Sequence, residues 1–105
     1  MGEFIAVAAV DELKPAQMKR VLVDGKRLLL CNSEGTLYSV DEMCSHEDYS
    51  LYLGCIKNGK IKCSLHGSYF DLTTGKPTCE PADEAIHTYP VKVEAGKVWI
   101  KSVNE

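Results

Sequence analysis

Basic charge is in short supply. Twelve Lys and Arg stand against fifteen Asp and Glu, a net charge of −3, which argues against nucleic acid and anionic membrane surfaces as partners, since both need basic patches. Long apolar runs are missing too. The run FIAVAAV is seven residues long, follows Glu3 and has no basic segment ahead of it. It falls far short of the roughly 20 residues of a spanning helix and lacks the layout of a secretory leader, so it reads as a strand. No phosphate-binding glycine loop, Ser/His/Asp set, low-complexity run or repeat is present, and an autonomous catalyst is not expected. Evenly spaced cysteine pairs are absent as well. Five cysteines, an odd number, point to a reducing compartment, the cytoplasm, and to metal rather than disulfides.

What is present is a single domain, residues 1–105, enough to bury roughly 60–70% of its unfolded surface. Short β-rich runs near residues 3–9, 18–23, 26–31 and 36–40 are separated by DGK and NSEG, which read as hairpin turns. CIKNGKIKC (55–63) is a hairpin with Asn58-Gly59 at its tip. SYFDLTTGK gives a short strand and a turn at Thr74-Gly75, and residues 86–93 and 97–103 form a closing hairpin, with the polar KSVNE as a natural end. Only residues 10–18 have room for a helical turn, which Pro15 limits. The expected class is all-β, built of small antiparallel sheets.

The chemistry sits in two loops. Cys44-x-His46 follows the strand 36–40, and Cys63-x-x-His66 ends the Asn-Gly hairpin, with sixteen residues between His46 and Cys63. The hairpin returns the chain to where it left, so the loops are expected to be neighbours. A single tetrahedral zinc accepts two Cys and two His. Zinc fingers, however, group like ligands together, whereas each loop here offers one thiolate and one imidazole. A dinuclear cluster uses that arrangement better, because each loop then reaches both metals; in Rieske [2Fe–2S] centres two His replace two Cys on one iron.

The motif C-x-H, sixteen residues, C-x-x-H, followed by Gly67, Phe70-Asp71, Thr74-Gly75, Pro81-Ala82 and Tyr89-Pro90-Val91, with Leu51 and Gly54 in the first loop, resembles the Rieske ferredoxins. The resemblance implies a Rieske fold with a two-loop cluster-binding subdomain at about 41–83. It also implies one [2Fe–2S] cluster on Cys44, His46, Cys63 and His66, shielded by Leu51 and Pro81, with Ser68 as a hydrogen-bond donor to a cluster sulfur. High-potential Rieske proteins carry an extra loop disulfide and a donating Tyr. Here Tyr49 and Leu65 stand at the disulfide positions and Phe70 at the Tyr position, with Tyr69 on the opposite strand face. Glu47 and Asp48 add negative charge that disfavours reduction, so a low potential is expected.

By that resemblance the chain is a soluble, monomeric one-electron carrier between a flavin-dependent reductase and a terminal ring-hydroxylating oxygenase. Docking is transient, with Glu42, Glu47 and Asp48 steering the approach. The rivals are the small Rieske-like subunit of an NAD(P)H nitrite reductase and a structural zinc module. Of the remaining residues, His87 reads as an ordinary surface side chain and Cys31 as buried packing. Cys55 reads as packing or a partly exposed thiol, and Cys79 as part of the loop that covers the cluster. Tyr49, Tyr52 and Trp99 read as packing rather than relays.

Overall fold

A computed structural model describes residues 4–43, 50–63, 69–78 and 85–101. Three small antiparallel sheets make up the described chain. The central one runs β2 (Met18–Val23), β3 (Lys26–Ser33), β4 (Thr36–Asp41) and β8 (Thr88–Tyr89). A second joins β1 (Phe4–Ala9), β10 (Lys97–Lys101) and β9 (Val91–Glu94), and the third joins β5 (Cys55–Lys57), β6 (Lys60–Lys62) and β7 (Tyr69–Asp71).

The unbroken run Leu28-Leu29-Leu30-Cys31 is the reason for two cores. A strand sends alternate side chains to opposite faces, and all four of these are buried. Leu29 and Cys31 enter one core with Val40, Leu51, Ile61, Cys63 and Phe70, while Leu28 and Leu30 enter the other with Val23, Tyr89, Val98 and Ile100. The central sheet is therefore covered on both sides, with the third sheet on one face and the β1–β10–β9 sheet on the other.

Local chemistry sets the hairpins. Asn58 and Gly59 at the β5–β6 tip have φ of 52° and 76°, the double positive φ of a type I′ turn. Asp24-Gly25, Glu34-Gly35 and Ala95-Gly96 have the same signs. The tip of β5–β6 is tied to the central sheet, because Gly59 N–H donates to Ser33 Oγ at 2.9 Å.

Two sequence expectations are corrected. Residues 10–18 hold two tight turns instead of a helical turn, closed by Glu12 N–H on Ala9 O (3.0 Å) and Gln17 N–H on Lys14 O (3.0 Å). Ala16 has φ 72°, which breaks any right-handed run. The expected strand 86–93 divides at Pro90, which has no N–H to donate: β8 pairs with β4, and β9 turns to pair with β10. A one-turn 3-10 helix, Leu51–Leu53, was not anticipated.

Candidate metal centre

The first loop leaves β4 and is closed at its mouth. Met43 and Ser50 form an antiparallel bridge, and Leu51 N–H donates to Glu42 O at 2.7 Å. Met43 and Ser50, the described residues on either side of 44–49, are thus neighbours. Ser50 then caps the 3-10 turn, its hydroxyl accepting from Tyr52 N–H. That turn buries Leu51 completely in the core that also holds Cys63.

The second loop starts at Cys63, where β6 ends. Its side chain is wholly buried in the apolar core that holds Leu51, Ile61, Phe70 and Leu72, which keeps water from its sulfur on the protein side. Gly54 brings the two loops together. A Cβ there would stand 1.7 Å from the carbonyl oxygen of Lys62, the residue before Cys63. Only a glycine lets the segment leaving the first loop lie directly on the backbone entering the second.

A third segment is anchored at both ends. Phe70 bridges Pro77, and Thr78 N–H donates to Tyr69 O at 2.9 Å. Beyond it, Ile86 N–H donates to Gly75 O at 2.8 Å. Gly75 has φ 79°, and a Cβ would stand 2.0 Å from Ile86 O, so this contact also requires glycine. Thr78 and Ala85 stand on either side of 79–84, and Ile86 belongs to the core that holds Cys63.

Cys44, His46, Glu47, Asp48, Tyr49, Leu65, His66, Ser68, Cys79 and Pro81 lie outside the described residues. Within them, Tyr69 and Phe70 point to opposite faces as expected: Phe70 is fully buried, while Tyr69 is half-buried with Lys62 Nζ 5.7 Å from its ring centre. Cys31 is buried, and desolvation pushes its thiol up to about 12. Cys55 is exposed on β5, opposite Lys62. Tyr52 packs under Arg20, whose guanidinium is 4.7 Å from the ring centre. Trp99 lies on β10 in the distant sheet, its Nε1–H donating to Glu94 O.

Glu42 is a correction. Expected at the surface for steering, it is only 5% exposed, and its Oε2 accepts from the Ser50 hydroxyl at 2.7 Å. A carboxylate in that position cannot greet a partner. His87 is also more than a lone surface residue. Its ring is exposed, yet Nδ1 lies 3.0 Å from Asp41 Oδ2, and the Tyr89 hydroxyl donates to Asp41 Oδ1 at 2.6 Å. Burial and the Asp41 carboxylate raise the Tyr89 hydroxyl above its ordinary value. Together these bonds pin β8 to the end of β4, where the first loop departs. Sequence offered only a weak signal for this set, the alternate positions 87 and 89, of which His87 falls just before β8.

Cys63, the one expected ligand among the described residues, stands where the two loops meet. One thiol is sealed in apolar surroundings at a strand end, the loops meet backbone to backbone, and the mouth of the first is fastened. Comparison with known proteins agrees. The model of the Rieske [2Fe–2S] domain matches residues 3–90. The ferredoxin component of the naphthalene 1,2-dioxygenase system of Pseudomonas putida is 36% identical over 98 residues, 93% of this chain and 94% of that one. Among solved structures, the ferredoxin of carbazole 1,9a-dioxygenase from Nocardioides aromaticivorans IC177 superposes with TM-score 0.88 at 29% identity, covering 92% of this chain and 95% of that chain. A complex of reduced oxygenase and oxidized ferredoxin in carbazole 1,9a-dioxygenase contains a chain with TM-score 0.91 at 25% identity, covering 97% of this chain and 95% of that one. This chain belongs to the Rieske [2Fe–2S] domain family, and its cofactor is a Rieske-type [2Fe–2S] cluster.

Proposed function

We propose that this chain is the ferredoxin of a multicomponent ring-hydroxylating oxygenase system, taking one electron at a time from a flavin-dependent reductase to the terminal oxygenase. The observation that carries the reading is the near end-to-end match to dioxygenase ferredoxin components, which are carriers and not catalytic subunits. In our reading Cys44 and Cys63 hold one iron and His46 and His66 the other. The chain acts as a monomer in a single domain, with residues about 41–83 as the cluster-binding part. Free thiols at Cys31 and Cys55 suit the cytoplasm. Among the described residues no helix is long and apolar enough to cross a membrane.

When bound, the cluster stores and releases a single electron. The protein's part is to fix where and at what potential. Two neutral imidazoles in place of two thiolates make the centre less negative and raise its potential relative to a four-cysteine site. The buried Leu51 and Phe70 shield the Cys63 side, with Pro81 assigned to the same task, and the imidazole side is left as the place of electron entry and exit. Phe70 has no hydroxyl to donate and Tyr69 faces away, so at most the Ser68 hydroxyl supports the sulfurs. This supports a potential toward the lower end of the family span of about −150 to +300 mV.

Reconstitution tests the reading. Reduced protein should transfer electrons to a ring-hydroxylating oxygenase, and Cys44→Ser or His66→Ala should abolish transfer. Tight co-purification with a sirohaem protein and no transfer to the oxygenase would favour nitrite reduction instead. Zinc without iron or sulfide in the purified protein would leave no carrier at all, and a midpoint above about +100 mV would overturn the low-potential assignment.

A further inference from the structure

We propose that Glu42 is a positioning residue for the metal centre: with Ser50 it forms a side-chain clasp across the mouth of the first loop that sets how Cys44 and His46 are presented. The inference rests on the cluster assignment and adds to it a residue outside the four ligands.

Glu42 is the last residue but one before the loop and is buried to 5% exposure. A carboxylate withdrawn from water is unfavourable unless hydrogen bonds replace its hydration. The replacement here comes from across the loop, where the Ser50 hydroxyl donates to Glu42 Oε2 at 2.7 Å. The same hydroxyl accepts from Tyr52 N–H at 3.2 Å, so the clasp also fixes the start of the 3-10 turn that carries Leu51. Backbone bonds continue the chain of connections. Glu42 N–H donates to Arg27 O at 3.2 Å in the central sheet, and Leu51 N–H donates to Glu42 O at 2.7 Å. Glu42 therefore joins three things: the rigid sheet, both ends of the loop, and the buried residue that shares a core with Cys63.

The backbone bridge between Met43 and Ser50 would by itself close the loop. The side-chain bond from Ser50 to Glu42 adds a second tie beside that bridge, on the flanking position. Hydrogen-bonded groups behind the ligands are known to orient them and tune the metal. A carboxylate aimed inward at this point, where a solvent-facing side chain would serve a mere connector, is the feature that a purely structural turn leaves unexplained.

The test uses the holoprotein and its Glu42→Ala, Glu42→Gln, Ser50→Ala and Ser50→Thr variants. Readouts are iron and sulfide content, the electron paramagnetic resonance g values of the reduced protein, the rate of iron loss to a chelator, and the thermal midpoint. The wild type must first show a Rieske signal; its absence would defeat the cluster assignment and leave the clasp aside. Given that signal, Glu42→Ala and Ser50→Ala should shift the g values and speed iron loss about tenfold or more. The double alanine variant should be no worse than either single one, because both remove the same bond. Glu42→Gln and Ser50→Thr, which keep an oxygen in place, should restore the wild-type g values. If both alanine variants lower only the thermal midpoint, with g values and iron loss unchanged, the clasp is structural and the proposal is wrong. Should Glu42→Ala fail to fold, the Ser50→Ala and Ser50→Thr pair decides by the same readouts.

Discussion

Replacing Gly54 by Ala puts the contact between the two ligand-bearing loops under direct load. The added methyl would sit 1.7 Å from Lys62 O, 2.9 Å from Lys62 C and 3.4 Å from Leu51 O. Comfortable contact needs about 3.5 Å, so the Lys62 carbonyl and the glycine segment must part by more than 1 Å. Every atom in the way is backbone, and no side-chain rotation gives relief. Overpacking costs about 1–3 kcal/mol where a core adjusts, and this site belongs at the upper end. For a domain of this size about 3 kcal/mol lowers the thermal midpoint by about 12–24 °C. The displacement also passes straight to Cys63, the next residue along, so iron should be lost. Gly59→Ala is the control: φ is +76° but nothing lies within 4 Å, leaving only a backbone strain of about 1–2 kcal/mol. Thermal melts followed by circular dichroism, with iron per chain, compare the two. If Gly54→Ala keeps its iron and melts no lower than Gly59→Ala, the contact is not what aligns the loops.

The remaining predictions concern groups away from that contact. Brief iodoacetamide treatment of the native protein should modify the exposed Cys55 and spare Cys31, whose thiol is buried and held near 12; peptide mass spectrometry showing equal labelling would refute this. Tyr89→Phe should cost about 1.5–3 kcal/mol in urea unfolding, the range for hydrogen bonds to a charged group, because Asp41 loses a donor at 2.6 Å. Burial and Asp41 raise the Tyr89 hydroxyl in the folded state, so its contribution is fully present below about pH 10, the unfolded tyrosine value, and is lost as pH rises further. Tyr89→Phe should lack that part of the alkaline decline, and an identical decline would count against the bond. Lys57→Glu should stabilise the protein by about 0.2–1 kcal/mol, since Lys57 and Lys60 stand directly opposite one another and like charges so placed repel; a lower urea midpoint would contradict this.

How much was legible beforehand follows from where each feature is decided. Asn58-Gly59 and its three counterparts announce hairpins because their positive φ requirement is local. The Leu28–Cys31 run announces a strand buried on both faces for the same reason, although Cys31 alone was assigned to packing in advance. The division at Pro90 was not legible. A proline permits a break, but only the positions of β4 and β10 determine that the two halves join different sheets. Gly54 and Gly75 could be flagged by resemblance without a cause, and the cause is a backbone carbonyl contributed by Lys62 or Ile86, distant in sequence. Glu42 misled because acidic residues are usually solvated. What buries it is Ser50, on the far side of a loop whose closure no local pattern encodes. Of the four expected ligands, Cys63 is buried in the core beside Leu51 and Phe70, and Cys44, His46 and His66 lie outside the described residues.

Phe4 stands directly opposite Lys101 in the β1–β10 pair, in a sheet separated from Cys63 by the whole central layer. A link engineered at Phe4 or Lys101 would therefore start on the far side of the central sheet from the core that holds Cys63. Immobilisation on an electrode through either position should leave the Cys63 side uncovered.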